Sequence, residues 1–342
     1  MKIAIMSRWN SACGVSLLAE LVGRKFAKKH EIVVFAPTSL RQVGEDEPYV
    51  VRCYSDVEYG RRFFDPKPFL EEDYDVFLAQ RIEWYPMEDL LKIFPEVKRK
   101  AKTVYVVHER KPPENELFYE FDWDAVVCFD ERYVRQWEKT KYGDRLKVIP
   151  YPTAHLVKGS KEEKRKVLGI EDEKVVFSYG WKPELHVLPA LPALKEVSRE
   201  IDFKFLLLVD PESRFSLRED FVEIRKERPP LNRIYDYLHA SDVCLIHKER
   251  SEVKEGEVVV SSSVLMCLGA LTPIVTSDTE FVAFLDKEVL KYRSVAELKK
   301  LLLGILRGEI DVEETITAAK NYVMRNNPEE VAKRYLRLFK EI

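Results

Sequence analysis

The chain has 342 residues and a formal net charge of −3, with 34% charged and 46% hydrophobic residues. This length suits two domains of about 150 residues each, and the nearly balanced charge gives no electrostatic reason to expect nucleic-acid binding. No apolar run approaches the roughly 20 residues that a membrane-spanning helix needs, so we expect at most a peripheral membrane contact.

Cysteine usage indicates a reducing compartment. The five cysteines are far apart, and neither the Cys nor the His residues have the spacing of a zinc site, so we expect reduced core thiols and no metal. The first strand runs into a polar stretch rather than an apolar signal-peptide core, so we expect a cytoplasmic protein. Abundant Lys and Glu with few Asn and Gln residues is typical of thermophiles. The cysteines are Cys13, Cys53, Cys128, Cys244 and Cys267.

The first half of the chain predicts a doubly wound α/β domain. Short β-branched runs alternate with segments whose apolar residues recur at helical spacing, and right-handed crossovers between such strands imply a parallel sheet. The predicted strands are residues 2–6, 31–36, 49–53, 74–79, 103–107, 125–129 and 146–149. The predicted helices include residues 15–26, 87–101 and 131–142.

The same alternation begins again after Pro152 and a charged run, which places a domain boundary near residue 153. We therefore expect two Rossmann-like domains, 1–153 and 154–325, facing across a cleft, with ligands beyond the carboxyl ends of their strands. The predicted strands are residues 174–178, 203–209, 243–246 and 273–276. The predicted helices are residues 188–199, 231–240, 295–307, 312–326 and 329–341.

Three consecutive serines, Ser261, Ser262 and Ser263, begin an apolar segment that is predicted to be helical. The free N–H groups of a helix start and the helix dipole favour an anion such as phosphate, although an ordinary helix cap is an equally simple interpretation. The strand at 243–246 leads directly to Lys248 and Glu249, which the fold would bring to the same edge of the sheet.

The first loop of the second domain carries Gly180, Lys182 and His186. Gly180 would allow close backbone approach, and Lys182 would offer a point charge to a phosphate. Surface lysines are common in this chain, so Lys182 alone is weak evidence for a site. Together with Lys248 and the three serines, it would form a convergent anion site.

Two loops of the first domain are candidate sites. Ser11 and Gly14 precede the first helix and would face a ligand there, although an ordinary strand–helix turn explains them too; neither a dinucleotide fingerprint nor a P-loop is present. His108 and Glu109 follow a strongly apolar strand. A histidine at a carboxyl edge can orient a hydroxyl or take a proton, and the alternative is a polar strand end without a ligand.

These loops and their order resemble the GT-B glycosyltransferases, in particular the large retaining group that uses sugar nucleotides without a metal, over essentially the whole chain. Residues 11–15 and 33–37 look like the family's glycine-containing first loop and second strand, and residues 106–109 like its acceptor-side histidine segment. Residues 148–152 resemble the end of the first domain, 180–186 the diphosphate loop, and 256–278 the donor-site block. The final helices, broken at Pro328, resemble the crossover that returns residues 326–342 to the first domain.

The resemblance implies transfer of a sugar from a nucleoside diphosphate sugar to a carbohydrate, lipid-linked or small-molecule hydroxyl, with retention and without metal or cofactor. It implies that Glu257 holds the donor sugar hydroxyls, that His108 orients donor or acceptor, and that the serines and Lys182 receive the diphosphate. Gly180, His186, Lys248 and Glu249 belong to the same donor region, and Ser11, Gly14 and Glu109 to the acceptor side.

Two alternative functions stay open. The family usually has arginine and lysine in the diphosphate loop, where this chain has Trp181 and His186, and a second glutamate on the donor helix is absent. These departures favour a catalytically degenerate binding or scaffold protein on the same fold. A sugar-nucleotide epimerase or a phosphorylase on a similar fold is the third hypothesis.

Overall fold

The computed structural model describes residues 1–38, 42–57, 60–180 and 182–342. The chain divides into two compact units, each with its own parallel sheet. The first unit comprises Met1–Pro152, Gly256–Val259 and Pro328–Ile342, and the second comprises Thr153–Glu255 and Val260–Asn327. Gly256–Val259, which the sequence analysis assigned to the second domain, is therefore part of the first unit.

The first unit is a doubly wound sheet whose strands are mostly buried. Its strands are β1 (Lys2–Met6), β2 (Glu31–Thr38), β3 (Val50–Ser55), β4 (Val76–Gln80), β5 (Lys102–Val106), β6 (Ala125–Cys128) and β7 (Leu146–Val148). In the described residues the order is β3-β2-β1-β4-β5-β6-β7 with parallel pairing. The order reverses direction beside β1, which makes the carboxyl ends of β1 and β4 the switch point where such sheets bind ligands.

Helices cover this sheet, and the last one comes from the C-terminus. They are α1 (Gly14–Phe26), α2 (Lys67–Glu71), α3 (Met87–Lys100), α4 (Glu131–Trp137) and, from the end of the chain, α12 (Pro328–Glu341). Phe26 of α1 contacts Tyr335 and Phe339 of α12, with ring centroids 6.4 and 5.8 Å apart. Pro328 begins α12, a position where the missing N–H is not needed. The predicted return of the C-terminal helix to the first domain is thus confirmed.

The second unit repeats the architecture. Its strands are β8 (Lys174–Tyr179), β9 (Phe203–Val209), β10 (Val222–Lys226), β11 (Val243–Ile246), β12 (Ile274–Ser277) and β13 (Leu290–Tyr292). Its helices are α5 (Lys161–Leu168), α6 (Pro183–His186), α7 (Leu191–Ser198), α8 (Leu231–Ala240), α9 (Ser262–Cys267), α10 (Val295–Arg307) and α11 (Glu313–Asn326). The strand order in the described part is β10-β9-β8-β11-β12-β13, so the switch point lies between β8 and β11.

The structure adds elements that the sequence analysis did not predict. The edge strand β10 has the sequence VEIRK, whose half-buried charged residues hide the apolar pattern of a strand. The charged run before β8 is the helix α5, capped by Ser160 and ended by Gly169 in a left-handed conformation with φ of 66°. The α/β fold class with two doubly wound sheets is confirmed.

Candidate functional site

His108 lies at the carboxyl edge of the first sheet and contacts the end of the neighbouring strand. Gln80, the last residue of β4, pairs with Val106 of β5, so the residue two positions beyond Val106 points to the same face. His108 Nε2 lies 2.8 Å from Gln80 Oε1. With that oxygen as acceptor, the imidazole proton is on Nε2 and the lone pair of Nδ1 is left to accept a hydrogen bond.

Burial and the adjacent Arg81 guanidinium lower the pKa of His108 to about 3. Arg81 Nη1 donates to the His108 carbonyl oxygen over 2.8 Å, and Arg81 itself has a left-handed φ of 51°. Such a conformation costs a non-glycine residue about 1 kcal/mol or more, and it persists where the surroundings hold it. His108 is therefore neutral near pH 7. It can accept a hydrogen bond from a hydroxyl group there, but it is poorly suited to take up a proton.

Glu109 is buried beneath this histidine and is engaged with protein groups. Its carboxylate accepts the Tyr105 hydroxyl at 2.6 Å and the His108 backbone N–H at 3.0 Å. Burial raises the pKa of Glu109, and Arg81 Nε lies 4.0 Å from its Oε1. These contacts give Glu109 the geometry of a residue that positions the His108 backbone.

The loop before α1 is also internally bonded. The Ser11 N–H donates to Ser16 Oγ at 3.0 Å, and the Ser11 hydroxyl donates to the Trp9 carbonyl at 3.3 Å. Gly14 is the first residue of α1, and its carbonyl accepts the Tyr151 hydroxyl at 2.6 Å. The geometry matches the ordinary strand–helix turn that the sequence left open, since the Ser11 side chain serves the loop itself.

Glu257 lies in the segment Gly256–Val259 of the first unit, where it forms an ion pair with Arg110. Glu257 Oε2 is 3.3 Å from Arg110 Nη1, and the Val258 N–H donates to the Arg110 carbonyl at 2.7 Å. Gly256 has a left-handed φ of 78°, which a glycine adopts without strain. Arg110 directly follows the two candidates His108 and Glu109, yet the sequence offered no signal that it would meet Glu257.

Two residues of α4 hold the ends of this segment. Arg132 Nη2 donates to the Val259 carbonyl at 3.3 Å, and the Gln136 side-chain amide donates to the Gly256 carbonyl. The backbone that carries Glu257 is therefore fixed at both ends by the first unit. The expected placement of Glu257 within the second domain is corrected accordingly.

In the second unit, Lys248 follows β11 at the switch-point edge of the sheet. Its backbone is held by Ser277 of β12: the Lys248 N–H donates to Ser277 Oγ, and that hydroxyl donates to the Lys248 carbonyl, each at 2.7 Å. The ammonium lies 5.6 Å from the centroid of the Phe281 ring. Among the described residues it has neither a hydrogen-bond acceptor nor a carboxylate within ion-pair distance, and burial lowers its pKa. The Glu252 charge acts on the ammonium only electrostatically. A half-buried cation without an ion-pair partner favours an anionic ligand.

Three further groups lie around Lys248. The pKa of His186 is lowered to about 4 by burial and then by the positive charges of Lys248, His247 and Lys182. Lys182 is exposed and lies just before α6. Trp181, which the sequence analysis noted in the same loop, lies outside the described residues. Both lysine charges therefore act on His186, and the joint anion site of Lys182 and Lys248 stays a prediction.

Gly180 has a local role in this cluster. A Cβ at this position would lie 2.7 Å from His186 Nδ1, closer than real Cβ contacts allow. The space beside the Gly180 backbone is thus occupied by the histidine ring, which corrects the expectation that it would be left for a ligand.

Glu249 and His247 form a short polar chain. Glu249 Oε2 lies 3.4 Å from His247 Nε2, and His247 Nδ1 lies 2.6 Å from the Tyr292 hydroxyl. The Glu249 N–H also donates to Glu252 Oε1 at 3.3 Å, at the start of a 3-10 turn. Sequence reasoning gave no role to His247 and Tyr292, because Tyr292 is 45 residues away from His247 in the chain.

The serine-rich start is a cap for a short helix. Ser261 is buried, accepts the Val264 N–H at 3.3 Å and lies 3.0 Å from Ser263 by their hydroxyl oxygens. Ser262 and Ser263 are half-buried. The helix α9 has six residues and ends in a 3-10 turn at Leu268–Ala270, so the positive potential of this region depends more on the lysines than on the helix.

No group of three or more His, Cys, Asp or Glu side chains is placed to hold a metal ion in the described ranges. No helix in those ranges has both the length and the apolar composition needed to cross a membrane.

No family model matches the chain. Solved structures resemble it over nearly its whole length. A glycosyltransferase from Rickettsia africae is 13% identical with a TM-score of 0.69, over 99% of this chain and 98% of that one. A sucrose-phosphate synthase from Thermosynechococcus elongatus is 14% identical with a TM-score of 0.63, over 100% and 98%. A UDP-forming α,α-trehalose-phosphate synthase from Burkholderia vietnamiensis is 11% identical with a TM-score of 0.65, over 100% of each chain.

At these identities the likeness establishes the fold. The chain has the GT-B fold of these glycosyltransferases, as the sequence analysis predicted.

Proposed function

We propose that the protein is a glycosyltransferase that moves a sugar from a nucleoside diphosphate sugar to a hydroxyl acceptor, with retention and without a metal. The observation that carries this proposal is Lys248, a partly buried lysine with no anionic partner in the described structure, at the switch-point edge of the second sheet. Lys182 and His186 add further nitrogen groups beside it. The fold supports the proposal, because its solved representatives include enzymes named as glycosyltransferases and as UDP-forming.

The chemistry follows from where charge develops. As the glycosidic bond to the donor breaks, the leaving diphosphate gains negative charge, so cations aimed at it stabilise the transition state more than the ground state. Lys248 and Lys182 would provide these charges in the second unit. A partly buried ammonium acts more strongly than one in bulk water, because the local dielectric constant is lower.

Residues of the first unit would bind hydroxyl groups of the sugar substrates. His108 is neutral, and its Nδ1 lone pair is suited to accept a hydrogen bond from a sugar hydroxyl. Glu257 would hold donor sugar hydroxyls with its carboxylate, which also pairs with Arg110. In this scheme neither residue transfers a proton at neutral pH.

A nucleotide panel tests the donor half. UDP, GDP and ADP are compared by thermal shift in EDTA, since a ligand that binds only the folded state raises the melting temperature. We expect one diphosphate to stabilise the protein without magnesium; no shift with any of them at millimolar concentration would reject the proposed donor site. Transfer from the matching sugar nucleotide, followed by NMR assignment of the product anomer, tests retention.

A second function, a nucleotide-binding protein without transferase activity, is favoured by one observation. Glu257, the carboxylate assigned to the donor sugar, is already ion-paired with Arg110. This alternative predicts nucleotide binding without consumption of any sugar nucleotide in the presence of a broad acceptor panel. Release of free UDP or GDP from a sugar nucleotide, coupled to a glycosylated product, would exclude it.

A further inference from the structure

The first unit contains a cavity of about 440 Å³ beyond the carboxyl ends of β3 and β4. It is lined by residues from the end of β3, from the segment after β4 and from the loop at 115–117. Ligands of open parallel sheets bind at this edge. The charged and aromatic lining residues are Asp56, Arg62, Glu83, Trp84, Tyr85 and Glu88.

The cations at this cavity are already engaged. The Arg62 guanidinium lies 2.9 Å from Glu88 and 3.1 Å from Asp89. Behind the lining, Arg8 forms a bidentate pair with Asp56, with Nε and Nη2 at 2.6 and 2.7 Å from the two carboxylate oxygens. A phosphate group entering here would meet arginines that are already paired with carboxylates of the same cavity.

Both arginines near Trp84 are held against its ring. The Cζ atoms of Arg8 and Arg81 lie 4.0 and 4.7 Å from the ring centroid. Arg81 also donates to the His108 carbonyl, and its charge acts on Glu83 electrostatically, without an ion pair between the two in the residues that the structure describes.

Glu83 is the exception among these charged groups. In the described part of the chain its carboxylate has no hydrogen bond and no ion pair, and the charges of Arg81 and Glu109 act on it only electrostatically. Burial, followed by the Glu109 charge, raises its pKa. A half-buried carboxylate without donors leaves hydrogen-bonding capacity that a ligand cation would satisfy.

Tyr85 lies on the same lining, but its hydroxyl is not available to a ligand. The residue is 5% exposed, and its hydroxyl interacts with the protein groups Arg8 and Asp56. Burial raises the pKa of Tyr85, so the phenol stays protonated. Glu83 is thus the carboxylate of this cavity that a ligand cation would pair with.

We propose that this cavity is the acceptor subsite and that it takes an amine-bearing polyol, whose ammonium pairs with Glu83, in preference to a sugar phosphate. This assignment as an acceptor rests on the proposed glycosyltransferase function, but the charge preference of the cavity does not. The ammonium supplies the donors that Glu83 lacks, and the polyol hydroxyls would meet the polar side chain of Asn115 on the cavity lining. A phosphorylated sugar would instead add charge of the same sign as the lining.

Three matched sugars test the charge preference on the intact chain without any donor. The dissociation constants of 6-amino-6-deoxyglucose, glucose and glucose 6-phosphate are measured by calorimetry at pH 7. A charge-assisted hydrogen bond is worth enough to tighten binding about tenfold, so the amino sugar should bind about tenfold more tightly than glucose, and the phosphate weakest. The inference is overturned if the amino sugar binds no more tightly than glucose, or if the phosphate binds most tightly.

A substitution assigns the preference to one side chain. Glu83→Gln keeps the size of the side chain and should remove the tenfold advantage of the amino sugar while leaving glucose binding unchanged. The control is Glu96→Gln on α3, where Glu96 pairs with Arg99 and does not line the cavity; it should keep the preference. An unchanged preference in Glu83→Gln overturns the assignment.

The nucleotide panel is run on the same protein. If a nucleoside diphosphate raises the melting temperature but the amino sugar is not preferred, the inference about the acceptor is overturned and the proposed donor site stands. A preference for the amino sugar without nucleotide binding rejects the glycosyltransferase proposal, while the charge preference of the cavity stands.

Discussion

Glu257 and Arg110, 147 residues apart in the chain, form an ion pair with 3.3 Å between Oε2 and Nη1. The Arg110 side chain is 38% exposed, so solvent screens the pair and it contributes less than about 1 kcal/mol to folding stability. The ion pair orients the Glu257 carboxylate, and hydrogen bonds to α4 hold the backbone segment that carries it. Its value therefore lies in positioning rather than in stability.

Replacing Glu257 by alanine should separate these two effects. We expect the melting temperature to change by only a few degrees, because the pair is partly solvated, while sugar transfer falls by orders of magnitude, because Glu257 is proposed to hold the donor sugar. Steady-state kinetics and a thermal melt on the same sample give both values. The exposed neighbour Glu255→Ala is the matched control and should keep both. Near-normal turnover in Glu257→Ala would move the donor-sugar contact to another residue.

Lys248→Met should weaken nucleotide binding and, unusually, stabilise the free protein. Methionine keeps the apolar stem against Phe281 and removes a charge that has no partner in the described structure. Without nucleotide we expect an increase of about 1 kcal/mol in the free energy of unfolding, because a half-buried charge without an ion-pair partner in the described structure is lost. With nucleotide we expect the dissociation constant to rise at least about tenfold, since a charge-assisted contact to phosphate is missing.

Denaturant unfolding of the unmodified chain and of Lys248→Met measures the change in stability, and calorimetry on the same two proteins measures the change in nucleotide affinity. The matched control is Lys300→Met on α10, where the lysine is exposed, and it should change neither quantity. A loss of stability in Lys248→Met with unchanged nucleotide affinity would mean that the ammonium serves the fold.

Much of the architecture follows from local patterns, whereas the contacts of the candidate site do not. The order of strands and helices was predictable because the residues of a buried strand are continuously apolar, as in β4 and β11. The edge strand β10 was missed because its charged residues are half exposed. The placement of Glu257 in the first unit depends on backbone contacts with Arg110, which no local pattern carries.

The same limit applies to the role of Gly180. The sequence suggested a glycine that admits a ligand, while the structure gives its space to the His186 ring, six residues further on. A helical or strand period describes which face a side chain takes, but it does not say whether the facing group is protein or ligand.

Gly180→Ala should therefore act through His186. Because the new Cβ would lie 2.7 Å from His186 Nδ1, the ring must move, and with it the group nearest to Lys182 and Lys248. We expect a loss of about 1–3 kcal/mol in stability from overpacking. We also expect a clear weakening of nucleotide binding in calorimetry.

The control for this substitution is Gly44→Ala, whose Cβ would lie 3.4 Å from Asn10, an ordinary contact. It should leave nucleotide binding unchanged. If Gly180→Ala bound nucleotide as well as the unmodified chain, the position of the His186 ring would have no part in the anion site.

His108 should make stability depend on pH between its unfolded and folded pKa values. Burial and Arg81 lower its pKa from 6.5 to about 3, so below pH 6.5 the unfolded chain binds a proton that the folded chain does not. Stability contributed by neutral His108 is thus present above pH 6.5 and is lost as the pH falls toward 3, by up to about 1.4 kcal/mol per pH unit.

Urea unfolding of His108→Asn at several pH values between 7 and 4 should show a shallower dependence of stability on pH than the unmodified chain. The exposed His155→Asn serves as control and should keep the steeper dependence. Equal slopes for His108→Asn and the unmodified chain would mean that His108 has the same pKa in the folded and unfolded protein, and the burial-lowered pKa assigned to it would be wrong.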